Sequence, residues 1–268
     1  YLYSTGFPDS YIFNVTFSFN TVSFNGASGV YLYSDGYSHW YYGHIYNVTF
    51  SSNTILGNRG TGVTLHSYGY YEGYIYNVAF FSNTISSIYL SSRHYYYLHY
   101  GYIYNVTFSS NTVSSIDLHG EGDIHDIILS SNNGGHIYLN SGGSIYNVIL
   151  SSNTISSNDG NGIYLDTYGY AQGGYIYRVT FSSNTVFSNG ASGIYLYSDG
   201  WPYGGYGFIY DVILSSNTVS SNNANGIHLW APTHFEHRAY DLKVVENIIA
   251  ANNQKGIWIE GNIKANLT

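Results

Sequence analysis

The stretch Asn47-Val48-Thr49-Phe50-Ser51-Ser52-Asn53 decides how this chain folds. Apolar and polar residues alternate between two bend-forming amides, and the same phrase returns along the whole 268-residue sequence. With the second Asn as marker it falls at Asn20, Asn53, Asn83, Asn111, Asn132, Asn153, Asn184, Asn217 and Asn247, at spacings of 33, 30, 28, 21, 21, 31, 33 and 30 residues. A fixed core with elastic inserts is the signature of a solenoid. Each unit reads as three short strands: an Ile-Tyr-Asn-Val-Thr-Phe type segment, a Thr-Ile/Val-Ser segment, and a segment such as Gly162-Ile163-Tyr164-Leu165. A variable loop between the third strand and the next unit is expected to absorb nearly all the length change.

Alternation of period two puts Val48 and Phe50 on one side of the strand and Thr49 on the other. No stretch keeps a helical period, and units of 21 residues hold three strands and three bends but no helix. The expected fold is all-β: a parallel β-helix of about nine coils. Coils stacked at about 4.8 Å would make a rod roughly 40 Å long. Its interior would hold Val15, Phe17, Val48, Phe50, Ile127, Leu129, Val212, Leu214 and their equivalents. Asn recurs at bends because it tolerates left-handed backbone angles and because stacked amides hydrogen-bond from coil to coil. Two ladders are expected. One runs through the nine markers, the other through Asn14, Asn47, Asn77, Asn105, Asp126, Asn147, Arg178, Asp211 and Asp241.

The runs Asn153–Leu165 and Glu246–Ile259 carry a resemblance. The chain resembles the right-handed parallel β-helix superfamily, the pectin-lyase-like proteins and the surface proteins with NosD-like repeats, over nearly its whole length. That resemblance implies the fold, but the superfamily spans lyases, hydrolases, adhesins and inert scaffolds, so it implies no single activity.

Composition narrows the setting. The chain has no Cys or Met, 34 Tyr, and 8% charged residues, where an average soluble domain has about 25%. Absence of Cys excludes disulfides, thiolate catalysis and Cys-ligated metal. We expect an extracellular or cell-surface location, with no membrane span, no cofactor and no nucleic-acid partner, since the seven basic residues form no cluster. Tyr1–Gly6 aligns with Tyr31–Gly36 and opens the chain inside a repeat, so residues 1–268 are read as a single β-helix domain of a processed or partial chain.

The Tyr residues fall in register. One column is Tyr46, Tyr76, Tyr104, Tyr146, Tyr177 and Tyr210, and another is Tyr31, Tyr89, Tyr138, Tyr164 and Tyr195. Both lie beside inward Ile or Leu positions and should face outward. A third group sits in the loops, including Trp40, Tyr41, Tyr42, Tyr96, Trp201 and Tyr203. Tyr combines a large apolar face with a hydrogen-bonding tip, which suits ring packing, a protein interface or sugar stacking.

The compositional outlier is a short central coil. It holds Asp117, Asp123 and Asp126 as candidate catalytic carboxylates, and His119, Asp123, His125 and His136 as candidate ligands of a divalent metal. Glycoside hydrolysis would need two carboxylates facing each other across the bond. Lyases of the resembling superfamily use carboxylate-bound calcium with an Arg or Lys base, and no basic residue lies between Arg93 and Arg178. A solvated acidic loop is the plainer reading. Glycosylation sequons occur at Asn14, Asn47, Asn105 and Asn266. The first three lie in an expected Asn ladder, where an inward amide could take no glycan.

These observations favour an extracellular structural protein that assembles with copies of itself, end to end and laterally, as a cell-surface filament or sheath subunit. The alternative is a carbohydrate-binding or polysaccharide-degrading β-helix that meets surface glycans through its aromatic face and acidic coil.

Overall fold

In a computed structural model the described residues, 1–6, 9–36, 41–94, 100–169, 173–199, 206–232 and 238–267, form an all-β parallel solenoid with no helix among them. The chain divides into two compact units, Tyr1–Ile127 and Ile128–Thr268.

In the first unit, Ser10–Ser18, Tyr42–Ser51, Glu72–Phe81 and Gly101–Ser109 pair in parallel as successive rungs of one sheet. Leu2–Thr5, Val30–Gly36, Val63–Gly69, Thr84–His94 and Thr112–Gly120 form the rungs of a second. In the second unit the corresponding rungs are Ile145–Ser151, Gly174–Ser182, Gly207–Ser215, Arg238–Val245 and Asn262–Leu267. They are accompanied by Asn133–Ser141, Ile163–Tyr168, Ile194–Asp199, Ile227–Trp230 and Ile257–Glu260.

The decisive stretch behaves as its alternation requires, with one phase shift. Ile45, Val48 and Phe50 are fully buried, while Tyr46 is half-buried and Asn47 exposed. Asn47 has φ 53° and is skipped in the strand register between Tyr46 and Val48, so two successive residues face outward and the chain turns there. Ile127, Leu129, Val212 and Leu214 are fully buried as expected, whereas Val15 and Phe17 are half-buried. Phe17, Phe50, Phe80 and Phe108 stack face to face, with centroids 4.7–5.0 Å apart. In the second unit the same inward position is held by Leu150, Phe181 and Leu214.

Both expected Asn ladders form, on different physical grounds. The nine markers are not themselves left-handed; the residue before each is, as at Ser52, Ser82 and Ser110. The buried amide of Asn83 makes four bonds. Its Oδ1 accepts from the backbone N–H and the Nδ2 of Asn53, and its Nδ2 donates to Phe50 O and Asn111 Oδ1, all within 2.9–3.0 Å. A third ladder went unseen in the sequence. Asn25 bonds Asn58, and Asn158, Asn189, Asn222 and Asn252 bond one another in turn.

That third ladder corrects the three-strand reading. Where it is present the chain bends between the second and third strands, as between Thr54–Leu56 and Val63–Gly69. Where it is missing, the fifth residue after the marker is Ile88, Ile116 or Ile137, which already pairs in the register of the third strand, and the two strands merge into Thr84–His94, Thr112–Gly120 and Asn133–Ser141. The short coils therefore lose residues at this corner as well as in the variable loop. Close approach at the corner explains the Gly before the third strand. A Cβ on Gly193 would lie 2.5 Å from Val219 Cγ1 and 2.8 Å from Gly226 O.

Candidate functional site: the outward aromatic face

The alternation that buries Ile163 and Leu165 turns Tyr164 and Asp166 outward, and the register repeats this from coil to coil. In the second unit the first outward position forms a column of Tyr138, Tyr164, Tyr195, His228 and Trp258. Its rings are 4.4–5.0 Å apart and within 12° of parallel. The Lys255 ammonium lies 3.6 Å from the centre of the Trp258 ring and caps the column by a cation–π contact. On the other sheet Tyr146, Tyr177, Tyr210 and Tyr240 stack at 4.9–5.0 Å. In the first unit Phe13, Tyr46, Tyr76, Tyr104 and His125 stack at 4.9–5.3 Å.

This geometry limits the chemistry. Both faces of an internal ring such as Tyr164 or Tyr76 are covered by its neighbours, so the column shows solvent its edges and phenol tips. Offset stacking of this kind adds about 0.5–1.5 kcal/mol per pair beyond area burial. A sugar ring needs an open aromatic face, and the internal rungs do not supply one.

Carboxylates sit beside the phenols. Asp166 Oδ2 accepts from Tyr138 OH at 3.2 Å and from Asn140 Nδ2 at 2.9 Å. Burial raises the Asp166 pKa against the opposing effect of these donors. Burial, followed by the charge of Asp166, also pushes the Tyr138 and Tyr164 phenols well above the usual tyrosine range. Tyr197 donates to Asp199 at 3.0 Å, and Tyr33 repeats this bond to Asp35 at 3.3 Å in the first unit. Beside Tyr138 and Tyr164 a depression of about 520 Å³ is lined by His136, Ser157, Asn158, Asp159 and Asn161.

The central acidic candidates do not share one place. Asp117 lies on Thr112–Gly120 and accepts from Ser115 Oγ at 2.8 Å. Asp123 precedes Ile124–Ser130, and its backbone oxygen accepts from Ile103 N–H. Asp126 is an exposed bend residue at φ 55° on the other sheet, 2.8 Å from His125 Nδ1. His125 is a rung on Tyr104, His119 lies on the same strand as Asp117, and His136 lines the depression of the second unit. Among the described residues no three His, Asp or Glu side chains gather as metal ligands.

Asn14, Asn47 and Asn105 are exposed, so the ladder that carries these sequons faces solvent and does not turn inward as expected. Asn47 and Asn105 spend an Nδ2 bond on Asn14 and Asn77 respectively. Asn266 lies on Asn262–Leu267, opposite Lys243. Of the interface candidates, Tyr31 tilts against Tyr1 at 5.4 Å, Tyr89 accepts from Arg93, and Tyr41 receives a backbone bond from Tyr71. Tyr42 packs edge-on against Tyr71 at 5.9 Å. Trp40, Tyr96, Trp201 and Tyr203 lie outside the described residues.

The right handed beta helix region family matches residues 8–169 and, in an overlapping alignment, residues 70–237. The chain belongs to this β-helix family. No curated protein and no solved structure matches it.

Proposed function

We propose that this β-helix protein is an extracellular structural subunit that assembles with copies of itself at a cell surface. The observation that carries the reading is the use of the aromatic faces: ring after ring is stacked on the equivalent ring of the next coil. A protein that presented Tyr for ligand capture would leave those faces open. Here they act as spines, and where the columns run unbroken each coil offers its neighbour an equivalent ring. Such a coil is self-complementary by construction. At outward left-handed bend positions, both at φ 56°, Phe19 and Phe24 are 83% and 88% exposed, large rings with the chemistry to meet another copy laterally.

Negative-stain microscopy across a concentration series, with light scattering alongside, tests this. Filaments or ordered arrays whose onset shifts to higher concentration in a Phe19→Ser/Phe24→Ser variant support it. A monomer at every concentration, unaltered by those substitutions, rejects it.

The depression beside Tyr138 and Tyr164 favours a second reading, glycan binding, because the two tyrosines, Asn158, Asp159 and Asn161 line it with hydrogen-bonding groups. A glycan screen in which Tyr138→Ala removes any binding would place the ligand there, and binding that survives the substitution would reject the site.

A further inference from the structure

On the outward face of the first unit, one of only seven basic residues has no ion-pair partner among the described residues. Arg93 lies on Thr84–His94, in register with Tyr68. Its Nε donates to Ser91 Oγ at 3.1 Å and its Nη2 to Tyr89 OH at 3.4 Å, and it forms no ion pair among the described residues. Ser91 is in register with His66 on one side and His119 on the other, so two imidazoles flank the guanidinium's own strand. The His66 ring is stacked on Tyr68 at 5.1 Å, and its Nε2 is buried with no hydrogen-bond partner.

The neighbouring carboxylates are engaged elsewhere. Glu121 accepts from the backbone N–H of His94 at 2.9 Å and lies 3.3 Å from His94 Nε2. Asp117 takes the Ser115 hydroxyl, and Asp35, in register with Tyr68, takes the Tyr33 phenol. The Tyr89 and Tyr68 phenols accept from the guanidinium and hold it in place, and an imidazole stands on the strand to either side.

We propose that Arg93, His66 and His119 form a binding site for an oxyanion, the sulfate or carboxylate group of a ligand. The planar fork of a guanidinium suits such a group, and the flanking imidazoles complete the donor set. Burial, and after it the charge of Arg93, lowers the pKa of both imidazoles, His66 to about 4, with Glu121 opposing the shift at His119. A bound oxyanion would offset Arg93 and favour imidazolium, so binding and proton uptake are linked. Affinity should rise by about tenfold for each pH unit through which one imidazole becomes protonated on binding.

The test is a sodium sulfate titration at constant ionic strength, with chloride as the balancing salt, followed by calorimetry and by NMR of the imidazole ring protons. Saturable binding that tightens from pH 7 to pH 5 is expected, with upward shifts in the His66 and His119 titrations. Arg93→Gln should abolish both effects, and Arg93→Lys should retain part of the binding. Matched sulfated and carboxylated oligosaccharides, each with its neutral counterpart, then distinguish the source of the group. Circular dichroism and melting confirm that each variant folds. Absence of saturable binding by the folded native protein, or a response unchanged in folded Arg93→Gln, overturns the proposal.

Discussion

Two Asn ladders run along the first unit a few residues apart, and they work differently. Asn53, Asn83 and Asn111 are 1–2% exposed. Asn47, Asn77 and Asn105 are exposed, and each amide bonds only its neighbours in the column. In the inner ladder the amide is the requirement: it satisfies buried backbone groups that no water reaches. In the outer ladder the backbone angle is the requirement, φ 52–53° at these three residues. Substitution across the coils says the same. Every inner marker is Asn, whereas Asp126, Arg178, Asp211 and Asp241 occupy the outer column with φ still between 51° and 55°.

The largest effect is expected from Asn83→Ala. It strands Asn53 N–H and Phe50 O in a dry interior, and with roughly 1–3 kcal/mol for each buried orphan the loss should be roughly 3–5 kcal/mol. Denaturant unfolding followed by hydrogen exchange at the flanking coils measures it. A loss below about 1 kcal/mol would erase the distinction between the ladders. Phe80→Leu comes next. It breaks the buried ring stack but introduces the side chain that the second unit uses at the equivalent position, so about 1–2 kcal/mol is expected, well under the full cost of a buried aromatic truncation.

The same contrast shows what could be read from residues alone. The inner markers, the outward Tyr columns and the inward Val and Phe positions follow from period and alternation, because a solenoid gives each coil the same environment. The third ladder was equally present as an Asn five residues after the marker, at Asn25, Asn58, Asn158, Asn189, Asn222 and Asn252. Its absence from the three short coils masked it by making length variation resemble loop variation. Site chemistry was less legible. Asp117 and Asp126 are close in sequence but belong to different sheets, and the Arg93 cluster comes from three strands spaced by coil lengths that only the register fixes.

Asn77 sharpens the comparison from the other side. Asn77→Ala loses exposed amide bonds of small net worth and forces an alanine into a left-handed angle, for a cost of about 1–2 kcal/mol. Asn77→Gly loses the same amide without that strain and should stay within about 0.5 kcal/mol of the native protein. If Gly proved as costly as Ala, the outer amides and not the backbone angle would be stabilising this bend. Equal losses at Asn83 and Asn77 would merge the two ladders into one.

The smallest expected effect is a pH dependence carried by imidazoles buried in the aromatic columns. Neutral His228 lies between Tyr195 and Trp258 at 4.6 and 4.4 Å, with Nε2 buried and Glu260 4.0 Å away. Burial first, then Lys255, lowers its pKa to about 4 from 6.5, and His66 is lowered to about 4 by burial, Arg93 and His119. Below pH 6.5 the unfolded chain takes up protons that these folded rings refuse. Stability from both groups is therefore present above 6.5 and is lost as pH falls toward 4. Asp166 and Asp35, raised by burial, act in the opposite sense: their contribution is present at low pH and lost as pH rises through their folded values. The His66→Gln/His228→Gln pair isolates the imidazole part. Melting temperatures measured in chloride buffer from pH 7 to pH 4 should fall less steeply in the double variant than in the native protein. An unchanged slope would mean that the stacked rings accept the proton in place, as cation–π partners of the aromatic rings packed against them.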